Sequence, residues 1–170
     1  MKDLAKVPQK RPIIGIFDRD NLDFITKIGD HKAFGNNVFA FCIPTPPSRK
    51  DYQNISIEFY YTDDELKTQN EGKRLYFDNE VEFRQSGNKK SRRLRPLSLE
   101  DREESSELVK KVFDDKFGDE TWIHSKSVFA QLVETNPTFA ANFNFDNFKL
   151  ILDKIRSTVN LADAQTSSTP

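Results

Sequence analysis

The chain has 170 residues, enough for one domain, or one domain with an appended helical piece, and enough to bury a real core. Charged residues make up 31% against 36% hydrophobic, and the net charge is −1. That near-balance excludes a bulk cationic DNA-coating protein, so any nucleic-acid affinity must come from a local patch.

The single cysteine, Cys42, cannot form an internal disulfide. It sits in an apolar run, as expected of a buried core thiol in a reducing compartment. The leader MKDLAKVPQKRP is basic, but no apolar h-region follows it and no stretch approaches membrane-spanning length. A soluble, cytoplasmic protein with no membrane partner is expected.

The first element is the apolar run IIGIF (Ile13 to Phe17), which reads as a strand buried on both faces. Asp18 and Asp20 follow at once, on the same side of an extended chain. NLDFITKI (21–28) fits a short helix, and NNVFAFCI (36–43) a second central strand, broken by the proline-rich PTPPSRKD. NISIEFYY (54–61) alternates, with Ile55, Ile57, Phe59 and Tyr61 on one face, and predicts a third strand. Thr62 is placed to cap a helical turn whose acids Asp63, Asp64 and Glu65 match its positive end. RLYF and VEFR read as short strands or a hairpin joined by Asp78 and Asn79.

The run QSGNKKSRRLRP is polar, basic and glycine-containing, which predicts a connector loop over 85–97. Its Lys89, Lys90, Arg92, Arg93 and Arg95 are candidate nucleic-acid contacts, weighed against a plain solvated loop. Beyond it the pattern turns helical. Ser98 and Asp101 resemble a capping box before a helix to about residue 117, with Leu108, Val109, Val112, Phe113 and Phe117 as its apolar stripe. Ser125 caps KSVFAQLVE, and Phe148, Ile151, Leu152, Ile155 and Val159 mark a last amphipathic helix. The expected organisation is an α/β core over 1–84, the basic connector over 85–97, a helical segment over 98–160 packing on that core, and a disordered tail over 161–170.

Apolar strands alternating with short helices predict a small, mostly parallel sheet, and ligands of such sheets gather at the carboxyl ends of the strands. Asp18 and Asp20 lie at such an end. Either one of Asp20 and Asn21 caps the next helix, or the two carboxylates hold a hard cation, Mg²⁺ or Mn²⁺, that removes their repulsion.

An apolar strand ending in Asp-x-Asp within a small α/β sheet resembles the second motif of the Toprim domain, shared by topoisomerases, primases and OLD-type, ATPase-associated nucleases. In the nuclease branch a glutamate in an apolar "IE-x-x-Y/L" segment follows, and this chain has IEFYY with Glu58. A lysine before a helix comes later, and HSKSVFA offers Lys126. The resemblance spans roughly residues 13–130. It implies a Mg²⁺- or Mn²⁺-dependent endonuclease of phage-defence type acting on nucleic acid, with DNA the expected partner. Asp18 and Asp20 would hold the metal, and Asp18, Asp20, Glu58 and Lys126 would serve phosphodiester chemistry.

One departure bears on this. A Toprim domain begins with an earlier strand and a glutamate, and here the only acid before the Asp-x-Asp strand is Asp3. The chain therefore resembles the carboxyl-terminal part of a Toprim domain, its catalytic site incomplete. That implies an ATPase, an amino-terminal partner completing the domain, or self-association. The alternative it carries is a non-catalytic interaction subunit of a defence-type ATPase–nuclease system.

Several residues have plainer readings. Glu58 alone reads as an outward, solvated side chain, and His124 beside Trp122 as a packed, hydrogen-bonded one. Phe139, Phe143, Phe145 and Phe148 read as core or as a partner face. Haloacid-dehalogenase-type phosphatases also open on an apolar strand and Asp-x-Asp, but they place Thr or Val where this chain has Leu22. No P-loop pattern is present, so ATP binding would reside elsewhere.

Overall fold

The computed structural model describes residues 1–85, 92–98, 101–102, 107–114 and 122–167. The chain forms two compact units. The first joins Met1–Lys50, Ile55–Tyr60 and the stretch from Phe145 onward; the second joins Asp51–Asn54 and Tyr61–Asn144. This partition differs from the expected one. The last helix belongs to the unit of the first sheet, and residues 61–84 belong to the other.

The first unit is built on three strands, β1 (Ile13–Phe17), β2 (Lys32–Gly35) and β3 (Val38–Cys42), in the order β1-β3-β2. β1 runs parallel to β3 and β2 antiparallel to it, so this α/β unit carries a mixed sheet. β3 lies in the middle, and all five of its residues are buried, as an apolar run without alternation requires. β2 and β3 are joined through Asn36 and Asn37, with φ of 51° and 59°. Asparagine tolerates this left-handed backbone, and it gives the tight hairpin its twist.

β1 departs from the reading of a strand buried on both faces. It is an edge strand, and Ile16 is 44% exposed. Helix α1 (Leu22–Lys27) starts on Asn21, whose side chain accepts the Asp23 N–H at 2.9 Å. Phe24 of this helix packs on Phe17 with ring centroids 4.9 Å apart.

The third expected strand is absent. Ile57–Tyr60 winds into a 3₁₀ turn instead. Asp18 Oδ1 accepts the Ile57 N–H at 3.1 Å and Ser56 C=O accepts the Phe59 N–H at 3.0 Å, which closes the chain locally. The turn buries Ile55, Phe59 and Tyr60 together and leaves Ile57 exposed, a pattern that alternation does not anticipate.

The long helix α5 (Lys149–Ser167) completes the unit. It continues through most of the expected disordered tail, because Ala162 and Ala164 favour helix and Ala162 is buried. Residues 168–170 lie outside the described residues.

In the second unit, α2 (Asp63–Leu66) is held by a full capping box between Thr62 and Glu65. Part of the expected connector is strand: β4 (Val81–Gln85) pairs antiparallel with β5 (Arg92–Pro96), and residues 86–91 lie outside the described residues. The helix expected from Ser98 is not formed at 107–114, where the backbone joins isolated bridges. Phe77 pairs with Val112, the Phe113 N–H reaches Tyr76 C=O at 2.8 Å, and Lys111 C=O accepts the Asp78 N–H at 2.9 Å. Residues 103–106 and 115–117 of that stretch lie outside the described residues.

Helix α3 (Lys126–Thr135) starts on Ser125 as expected, and α4 (Pro137–Ala140) on Asn136. Phe129, Phe139 and Phe143 pack with Tyr61 in edge-on and tilted pairs 5.0 to 5.8 Å apart, a core rather than a stacking platform. Phe145 and Phe148 belong to the first unit, where Phe148 stacks on Tyr60. Among the described residues no helix is long and apolar enough to cross a membrane.

Candidate functional site at the end of the parallel strands

The parallel pair β1–β3 determines where the first unit offers a site. Beyond the carboxyl ends of these strands lies a cavity of about 480 Å³ lined by Arg19, Asp30, Cys42, Pro44, Thr45 and Lys154. Arg19 follows β1 by two residues, Cys42 ends β3, and Lys154 comes from α5.

Arg19 is positioned from its backbone outward. Its N–H reaches Ile55 C=O at 2.7 Å, and its own C=O accepts the Ile55 N–H at 3.1 Å. The side chain then donates Nε to Ile43 C=O at 3.0 Å and pairs through its terminal nitrogen with Asp30. The guanidinium is mostly buried, whereas the Asp30 carboxylate is largely in solvent. The cavity thus presents a fixed guanidinium, the half-buried Lys154 and the Thr45 hydroxyl, against one exposed acid.

The surrounding groups register the same arrangement. Burial pushes the Cys42 thiol up, with the Arg19 charge working against it, so the sulfur is a neutral thiol near pH 7. Its depth agrees with the expected buried core cysteine. Burial also raises Tyr60 well above the usual phenol range, and Asp18 adds to this while Arg19 opposes it. The Tyr60 hydroxyl donates to Pro44 C=O on the cavity wall. Such a site can hold a small anion: Arg19, Lys154 and Thr45 all line it, and guanidinium offers phosphate two parallel donors.

The residues singled out from the sequence are distributed differently. Asp18 caps the Ile57 turn, and Asp20 is exposed at the start of the α1 loop. Glu58 sits half-buried in the 3₁₀ turn rather than on a strand. Lys126 is the first residue of α3 in the second unit, its backbone N–H donating to Asp114 at 3.1 Å. Among the described residues no three His, Cys, Asp or Glu side chains come together as a metal ion needs. Asp18 and Asp20, the pair implied for Mg²⁺ or Mn²⁺, are thus joined by no third such side chain among the described residues.

Of the basic run, Arg92, Arg93 and Arg95 lie on β5, and Arg95 pairs with Glu82 across the hairpin. Lys89 and Lys90 lie outside the described residues. In the second unit, His124 lines a cavity of about 420 Å³ with Asn70, Glu71, Lys73, Ser125 and Asn136. Burial pulls it below the usual histidine range and the Lys73 charge reinforces this, against an Asn70 backbone bond and Glu71. It is buried and bonded to the Asn70 backbone, which agrees with its sequence context in part, since its Nε2 is buried with no hydrogen-bond partner among the described residues.

Arg19 is the residue the sequence reading passed over. The cue was present, since it is the one cation lying between the two acids at the end of the first strand. Comparison with family models, with characterised proteins and with solved structures finds no match for this chain.

Proposed function

We propose that the first unit is a phosphate-recognising α/β module, and that the chain acts by binding phosphate esters of nucleic acid and by assembly, on the non-catalytic side of the expectation raised by its sequence. The observation that carries this is the Arg19 guanidinium, pinned by its backbone and by Ile43 beside a cavity at the carboxyl ends of two parallel strands.

A phosphate entering there replaces Asp30 as the partner of Arg19. The exchange costs little, because an ion pair with one exposed member contributes at most about 1 kcal/mol. A phosphate oxygen pair on guanidinium makes charge-assisted bonds roughly twice as strong as neutral ones. Lys154 supplies the second charge and Thr45 a donor that orients the anion.

Calorimetric titration with a 5′-phosphorylated and an unphosphorylated oligonucleotide, on wild type and Arg19→Gln, tests the reading. The phosphorylated strand should bind more tightly to wild type, and Arg19→Gln should erase the difference. Equal affinities of wild type for the two strands would contradict it.

The second reading is the metal-dependent nuclease. It is favoured by one observation, that Asp18 and Asp20 follow a strand in parallel pairing. Its acid set is not assembled among the described residues of the first unit, and Lys126 belongs to the other unit.

A further inference from the structure

We infer that the cavity lined by the 70–73 turn and α3 binds a free apolar α-amino acid, with its carboxylate on Lys73, its ammonium on Glu71 and its side chain on α3. The whole lining comes from residues 70–136, so the site lies within the second unit. At about 420 Å³ the cavity is at the small end of small-molecule sites, and it has their usual make-up, an apolar wall with a few polar groups.

A tight turn builds the charged side. Asn70 and Lys73 exchange backbone hydrogen bonds at 2.9 and 3.0 Å, and Glu71 and Gly72 between them have positive φ, 52° and 76°. A turn of this hand favours Asn-Gly, so the glycine fits the second place and the glutamate in the first is strained. That strained residue holds a carboxylate at the cavity, and two residues on Lys73 brings an ammonium to it. Among the described residues neither side chain takes part in an ion pair. Opposite charges therefore line one cavity without meeting each other.

His124 lies on the same wall, its ring 5% exposed and its backbone N–H held by Arg74 C=O at 2.8 Å. The bond to the Asn70 backbone engages Nδ1, because Nε2 is buried with no partner among the described residues. A buried acceptor left unmet is costly, and a ligand that brings it an N–H recovers that cost. The charges of Lys73 and Glu71 both act on this ring, in opposite senses, which places it within the field of both. Asn136 spends its Oδ1 on the Phe139 N–H at 3.1 Å, which leaves its amide N–H groups to the cavity it lines. Ile123, Val128 and Leu132 supply the apolar wall, the last two one turn apart on α3, and Val128 is 42% exposed.

These groups select the occupant. Glu71 and Nε2 are acceptors and call for an ammonium, whereas Lys73 and the Asn136 amide are donors and call for a carboxylate. An anion alone would leave Glu71 unpaired, and a cation alone would leave Lys73 unpaired. A zwitterion with an aliphatic side chain satisfies both charges and covers the apolar wall.

Calorimetric titration of the full chain with L-leucine, N-acetyl-L-leucine and L-leucinamide tests the site. Leucine should bind saturably. The two analogues, one without the ammonium and the other without the carboxylate, should each bind at least about tenfold more weakly. Glu71→Asn should remove the preference for leucine over N-acetyl-leucine, and Lys73→Gln the preference over leucinamide. Asparagine accepts a positive φ, so Glu71→Asn should also raise the unfolding temperature, which separates lost binding from a lost fold. An absence of saturable heat with leucine up to its solubility limit overturns the inference. Either analogue binding as tightly as leucine overturns it too, and would give the cavity to a chain end of a protein. Preferences that persist unchanged in both variants overturn it equally.

Discussion

Arg19 and Ile55 exchange backbone hydrogen bonds in both directions, at 2.7 and 3.1 Å. This isolated bridge holds the first residues after β1 against the chain that leads into the 3₁₀ turn. Because the bridge uses only main-chain atoms, the Arg19 side chain can be altered without releasing it. Arg19→Gln should cost about 1 kcal/mol, for the bond from Nε to Ile43 C=O. Thermal unfolding should show a shift of a few degrees, and a loss of the folded state would mean the side chain is a structural keystone.

Asp18 accepts a backbone donor, the Ile57 N–H, at 3.1 Å. Asp18→Ala should therefore lower stability by about 1 kcal/mol through loss of the cap on the turn, while Asp18→Asn, which keeps an acceptor oxygen, should cost less. Mg²⁺ titrated into wild type, Asp18→Asn and Asp20→Asn should give indistinguishable heats. A saturable signal in wild type that both variants abolish would restore the metal site.

Glu80 is a buried and heavily satisfied charge in the second unit. It is 2% exposed and meets Arg74 at 3.0 Å, Lys67 and Arg102 each at 3.1 Å, and the Phe77 N–H at 3.0 Å. Burial alone would raise its carboxyl; the bonds from Arg74 and the Phe77 N–H outweigh this and hold it below the usual glutamate range. A depressed folded value means the unfolded chain takes up the proton first. The stabilisation is thus complete above the ordinary glutamate range and is lost as pH falls through the folded value. Glu80→Gln should cost about 3–5 kcal/mol near neutral pH and flatten the acid limb of denaturant-measured stability. An unaltered acid limb would assign that limb to other carboxylates.

Cys42 should be inert. Its thiol is held above the ordinary range by burial, so thiolate is scarce near pH 7. Modification by a disulfide reagent should run far more slowly in native protein than in denaturant. The raised value also means that stability falls as pH climbs from the ordinary thiol range through the folded one. Rapid native labelling would show that the cavity opens onto the sulfur.

Much of this was legible in the chain. The unbroken apolar run of β3, the caps on Asn21, Thr62 and Ser125, and the buried thiol follow from local chemistry that the fold has no reason to override. The failures share a cause, in that distant partners decided them. Residues 54–61 alternate like a strand, but Asp18, far back in sequence, captures the Ile57 N–H and turns them. Residues 107–114 carry a helical stripe, yet Lys110 is 2% exposed and bonded to Asp63 at 2.7 Å and Glu107 at 2.6 Å, with its neighbours bridged to the 76–78 backbone. For the site, the two acids drew attention as ligands, and the arginine between them was the side chain that reached the cavity.

The most direct test of phosphate recognition is an amide-resolved NMR titration of the full chain with inorganic phosphate. The account expects saturable shifts confined to the residues around the cavity, Arg19, Ile43, Thr45 and Lys154 among them, and their loss in Arg19→Gln. Shifts that leave those residues unmoved, or that persist unchanged in Arg19→Gln, would contradict it.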